Sequence, residues 1–144
     1  MDMPIQWREK LTVGDVATDD EHKHLVCLLN GLEVLVKRYP KKLALFAFLD
    51  EVEEEINNHF CNEEALMRKI GYPRFEEHFQ AHQRLRQEMK SIRHDMASAE
   101  DHEGFVREVI GFMNRIKSWL INHIIEMDKD YAAYVIKARR AGKT

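Results

Sequence analysis

The sequence predicts an all-α fold, an antiparallel up-down-up-down four-helix bundle with an extended N-terminal arm and a short C-terminal helix. Three observations predict it. Four stretches repeat apolar residues in steps of three and four, the period of one helix face. The breaks between them are short and carry helix-ending residues: Tyr39-Pro40, Gly71-Tyr72-Pro73 and the polar run 97–104. Short links force consecutive helices to run antiparallel. Each apolar stripe also gives way to a histidine or a carboxylate where a core would prefer leucine. At 144 residues, 44% hydrophobic and 33% charged, the chain reads as one domain, 1–144, able to bury a sizeable core beneath solvated helix faces.

Residues 1–17 carry Pro4, Trp7 and Gly14 without clear periodicity and read as the arm, with Trp7 packed over one end of the bundle. Thr18 to Glu21 has the S/T-x-x-E form of a capping box and marks the first helix start. His22, Leu25, Leu29, Leu32 and Val36 form its inward face. Tyr39-Pro40 ends it near Arg38, because proline disfavours helical geometry in the residue before it. The second helix begins near Lys41, with Leu45, Leu49, Val52, Ile56, His59, Glu63, Leu66 and Ile70 inward. Gly71 fits its C-terminal cap, and Pro73 the first turn of the third helix. That helix turns Phe75, His78, His82, Leu85, Met89, Ile92 and Met96 inward. Ser98 or Asp101 caps the fourth, whose face reads Phe105, Val109, Phe112, Ile116, Trp119, His123 and Met127. Residues 128–140 are helical too, as a continuation or a short fifth helix, and the chain frays from Gly142.

Composition excludes several function classes. A net charge of -3 makes no electrostatic case for nucleic acid or an anionic membrane. No apolar run approaches a membrane span, and the N-terminus lacks a signal peptide's apolar core. Two cysteines, Cys27 and Cys61, without CxxC spacing argue against a disulfide framework or zinc ribbon and read as reduced thiols of a cytoplasmic protein. Eight histidines are the compositional oddity.

Six metal-type side chains fall on the four apolar stripes: His22 on the first, His59 and Glu63 on the second, His78 and His82 on the third, His123 on the fourth. His59–Glu63 and His78–His82 are each four apart, so each pair shares a helix face. A single inward histidine is more often an ordinary core residue. Six on four helices are harder to explain that way, and a buried carboxylate such as Glu63 costs several kcal/mol unless paired or bound to a cation. His24 is two steps of about 100° from His22 and faces out. His94 and His102 fall off the stripes. Asp128 stands five residues after His123, a turn of about 500° on a regular helix, which leaves the two about 140° apart. Both can meet one centre only if the helix is locally unwound, as by a π-bulge, or ends there.

The motifs DDEHKHL around His22, HFCNEEALM at His59 and Glu63, YPRFEEHFQAH at His78 and His82, and WLINHIIEMD at His123 and Asp128 resemble those of the hemerythrin family, its single-domain bacterial kind in particular. The resemblance covers nearly the whole chain. It implies two iron ions with an oxo or hydroxo bridge, Glu63 and Asp128 bridging, His78, His82 and His123 on one iron, and His22 and His59 on the other. Asp15 and Thr18 stand where relatives often carry aliphatic residues. Two six-coordinate irons so held keep one open position, on the iron with two histidines. The resemblance places Leu25, Phe60, Trp119, Leu120 and Ile124 around it as an oxygen pocket. The expected function is reversible dioxygen binding for storage, delivery or sensing, with dioxygen as the partner.

The alternative is an enzyme, a di-iron oxidase or peroxidase or an iron-handling centre. Oxygen-activating ferritin-like bundles carry two Glu-x-x-His motifs. This chain has one, Glu21 to His24, and its histidine faces out. Five neutral imidazoles also make a less anionic centre than a carboxylate cage, which disfavours high-valent iron. A sensor module gating a protein partner and a metal-free bundle are the remaining readings. By donor type alone the set suits zinc or manganese as well as iron.

Overall fold

The computed structural model describes residues 5–143; Pro4, part of the expected arm, lies outside them. Helices α1 (Val16–Arg38), α2 (Lys42–Ile70), α3 (Phe75–Ala97) and α4 (His102–His123) are followed by a π-helical turn, Ile124–Asp128, and by α5 (Lys129–Arg140). Helix α1 packs on α2 and α4, and α3 packs on α2 and α4, which is the square of an up-down-up-down bundle. There is no strand among the described residues.

The helix ends follow local chemistry. Tyr39-Pro40 stops α1 at Arg38, as expected. Gly71 adopts the left-handed conformation at φ 67°, and Tyr72 N–H reaches back to Met67 C=O at 2.9 Å, a Schellman closure of α2. Pro73 falls before α3 rather than in its first turn. Phe75 N–H bonds Tyr72 C=O at 3.1 Å, so Pro73 takes the second position of a β-turn, where its fixed φ suits. Asp101 caps α4, accepting from Gly104 N–H at 2.7 Å. The end of α5 is closed rather than frayed at Gly142 and Lys143: Lys143 N–H bonds Ala138 C=O at 2.9 Å, with Gly142 at φ 74°, and Thr144 lies outside the described residues.

Asp15, not Thr18, caps α1. Its carboxylate accepts from Thr18 N–H at 3.1 Å and from the Thr18 hydroxyl at 2.6 Å, and it also pairs with Arg139 of α5. In return Asp19 takes the N–H groups of Val13 and Gly14, at 2.9 and 3.2 Å. The arm then runs along α1, through a 3-10 turn at Glu9–Leu11, and Asn30 clamps the Ile5 backbone with two 2.9 Å bonds. Trp7 therefore lies half-buried on the flank of α1, beside Lys23, and not over an end of the bundle. Asp15→Ala is expected to cost about 1–2 kcal/mol of stability in urea unfolding, and Asp15→Asn, which keeps an accepting oxygen, less. Equal losses would assign the effect to the Arg139 pair instead of the cap.

The core comes in two pieces. The larger runs from Leu11 and Val36 to Phe60, Leu85, Phe112 and Ile124. The smaller joins Met67, Ile70 and Tyr72 to Tyr131, Val135 and Ala138 of α5. Along α2 Glu63, and along the α4–α5 rod Asp128, fall between the two pieces, with His59 and His123 at the border of the larger one.

Candidate metal centre

All seven predicted ligands are buried, none more than 6% exposed. They form two groups of converging donor atoms: Glu63, His78, His82 and His123 in one, His22, His59, Glu63 and Asp128 in the other. In the first, His123 Nε2 lies 3.1 Å from His78 Nε2 and 3.2 Å from His82 Nε2. Adjacent ligands of an octahedral ion with bonds near 2.1 Å are about 3.0 Å apart, so these nitrogens have metal-ligand spacing. Glu63 belongs to both groups. Asp128 spans them with its two oxygens: Oδ1 lies 3.1 Å from His78 Nε2 and 3.0 Å from His123 Nε2, and Oδ2 2.9 Å from His22 Nε2.

The expected irregularity between His123 and Asp128 is present. The π turn adds the residue that brings both side chains inward, and Asp128 is fully buried. His24 is exposed beside Glu55, and His94 and His102 are exposed, as expected.

Whether the donors fit a cation is tested by their satisfaction. Both ring nitrogens of His22 and His59, both oxygens of Glu63 and Asp128, and Nδ1 of His78 make no hydrogen bond among the described residues. So many buried polar atoms left unpaired would be costly in a protein interior. Close approach without hydrogen-bond geometry is the arrangement of lone pairs aimed at a shared positive charge. Burial alone does not make a ligand, however. Glu33 is equally buried and lies 3.3 Å from Lys117 of α4, an ordinary if desolvated ion pair.

The charges interlock. Burial disfavours an imidazolium at His59, but Glu63, then Glu21 and Asp128, outweigh it and push His59 up to about 9. At His78 burial is likewise overruled, by Asp128 and Glu63, and the ring rises to about 9. Burial and Asp128 both push Glu63 up, yet His59, His78 and His82 hold it down to about 2. Asp128 stays well below the usual carboxylate range despite burial, held there by His123, His22 and His78. His82 is lowered, by burial first and by its imidazole neighbours.

A cavity of about 10 Å³, room for a single water-sized molecule, adjoins the cluster. Leu25, Phe60, Trp119 and Leu120 line it, together with His59, His123 and Asp128. Ile124 is fully buried in the same core but does not line the cavity, which corrects its expected place. Leu29, Ile56, Leu85 and Ile116 take part instead, from one or two turns further along the bundle.

Sequence reasoning missed three surrounding residues. Glu64 Oε2 lies 2.8 Å from His82 Nδ1, Arg86 pairs with Glu64, and Glu21 stands 3.4 Å from His59 Nδ1. Arg86 stands four residues after His82, on the same face, but that spacing does not single it out among the many charged residues of α3.

Comparison with known proteins points to one family. A family model described as the hemerythrin HHE cation binding domain matches residues 14–135. The bacteriohemerythrin of Stenotrophomonas maltophilia is 29% identical over 131 residues, 91% of this chain and 81% of that protein. That of Clostridium acetobutylicum is 26% identical over 87% of this chain and 96% of its own length. A bacteriohemerythrin of Campylobacter jejuni is 35% identical over 61% of this chain and 67% of its own. With most of its length matched and a buried cluster of histidines and carboxylates at its centre, the chain belongs to the hemerythrin family, whose members bind non-haem iron.

Proposed function

We propose that the chain binds dioxygen reversibly at a pair of non-haem irons held by His22, His59, Glu63, His78, His82, His123 and Asp128. Glu63 and Asp128 would be the two carboxylates shared by the pair, since one belongs to both donor groups and the other turns an oxygen toward each. The irons supply the electrons that reversible capture of dioxygen needs. The observation that carries the reading is the small cavity. It touches His59 and Asp128 of the two-histidine group and His123 of the other, has room for one water-sized molecule, and is otherwise walled by apolar and aromatic side chains. Such walls admit an apolar gas and give water and protons few partners, which slows irreversible oxidation. Phe60 and Trp119 also stack on His82 and His123, at 3.8 and 4.2 Å between ring centroids, and fix those rings from the cavity side.

Metal analysis with an absorption spectrum of aerobically purified protein tests the centre; about two irons per chain with oxo-bridge charge-transfer bands are expected. Cycling the reduced protein between oxygen and argon tests the function. Full recovery over many cycles supports a carrier, and irreversible oxidation with peroxide release supports an oxidase. Trp119 is half-buried at the outer side of the cavity, so Trp119→Ala is expected to speed irreversible oxidation roughly tenfold by admitting water. An unchanged rate would remove the wall from the account.

A further inference from the structure

Five imidazoles enter the site, and one of them is held differently from His22, His59 and His78. His82 Nδ1 lies 2.8 Å from Glu64 Oε2, with both side chains buried. Arg86 donates to both Glu64 oxygens, at 2.9 and 3.2 Å, and also donates to the side-chain oxygens of Gln83 and Asn57, at 2.6 and 3.3 Å. The same guanidinium stands 5.1 Å over the Phe60 ring, and Phe60 stacks on His82 with the planes 7° apart. One edge and one face of His82 are thus enclosed by a carboxylate and an aromatic ring, and Arg86 ties the two together. By contrast, Nδ1 of His22 and of His78 has no hydrogen-bond partner among the described residues, and His59 Nδ1 approaches Glu21 at 3.4 Å without making one.

We infer that Glu64 is a positioning residue for His82, and that Arg86 sets how much of the Glu64 charge reaches the metal held there. A carboxylate can only accept, so the proton of His82 is kept on Nδ1. The Nε2 lone pair is then free and aimed where His123 Nε2 and Glu63 Oε1 also point, 3.2 and 3.3 Å away. A carboxylate behind an imidazole makes it a stronger donor and favours the oxidised state of a redox metal, while a paired guanidinium takes part of that charge back. Glu64 and Arg86 therefore pull the centre's reduction potential in opposite directions.

This rests on the metal reading above, so the first arm needs no metal. In metal-free protein, nitrogen-15 NMR of the His82 ring should show the Nδ1–H tautomer in the wild type and in Glu64→Gln, whose amide oxygen still accepts, and a tautomer mixture in Glu64→Ala. In iron-loaded protein, Glu64→Ala should raise the rate of iron extraction by a ferrous chelator about 10–100-fold. Glu64→Gln should raise the midpoint potential and Arg86→Gln should lower it. Shifts of the same sign in those two variants, as loss of a merely structural network would produce, overturn the inference. So does an unchanged tautomer in Glu64→Ala. A wild type that takes up no iron overturns the metal reading, while the tautomer arm still decides the positioning role.

Discussion

Asp128→Ala should leave the chain unable to retain iron through desalting, with affinity lowered at least about 100-fold, beyond what loss of a residue behind the ligands costs. Three elements depend on this one side chain. Its oxygens meet His22 of α1, His78 of α3 and His123 of α4 within 3.1 Å, and none of those atoms has another anion so close. Asp128→Asn separates charge from shape: it keeps a similar side chain and should still lose iron, because a neutral amide is a weak partner for a cation. His78→Ala should also lower iron content, and His94→Ala, on the exposed face of α3, should not. The check is iron per chain by elemental analysis, made on variants whose helical circular dichroism matches the wild type. Equal loss in His94→Ala and His78→Ala would contradict the ligand assignment.

Metal-free protein should resist urea best between about pH 4.5 and 6.5 and weaken on either side. His59 and His78 are raised from 6.5 to about 9 in the folded chain. Their contribution is complete below 6.5 and is lost as the pH rises through about 9. Glu63 is lowered from 4.5 to about 2, so its contribution is present above 4.5 and lost as the pH falls through about 2. On the alkaline side the loss is on the order of 3 kcal/mol, and because the histidines and Glu63 share one interaction their shifts do not add. Metal competes for the same nitrogens. Iron(II) uptake at pH 7 should therefore release close to two protons, from His59 and His78, measurable with an indicator in weakly buffered solution. Release of well under one proton would mean that the two rings are not displaced from their carboxylates by metal. In loaded protein the alkaline loss should vanish.

The converging side chains were legible in the sequence because they contradict their surroundings. A histidine or glutamate at a position where the 3.6-residue period demands leucine is a conflict, and six such conflicts on four helices share one resolution. The π turn was legible for a related reason: with a step of five residues, His123 and Asp128 cannot both point inward from a regular helix. Glu64 and Arg86 were not. Each is one of many charged residues on helix surfaces, and only the packing of α2 on α3 shows that they are turned toward His82. The α1 cap was misplaced because Asp15–Thr18 and Thr18–Glu21 both have capping spacing, and nothing local chooses between them. Arg139 bonds Asp15 from across the molecule, 124 residues away, and the arm leaves Asp19 facing the Val13 and Gly14 amides.

By itself, then, the sequence determined the helices, the inward faces and which side chains would meet, since period, proline and glycine act over a few residues. The lining of the cavity, the arm lying along α1, and the pairings Glu33–Lys117 and Glu64–Arg86 were decided only by the tertiary structure. Each depends on how far one helix slides and turns against another, and that offset is set by the summed packing of whole faces rather than by any local spacing.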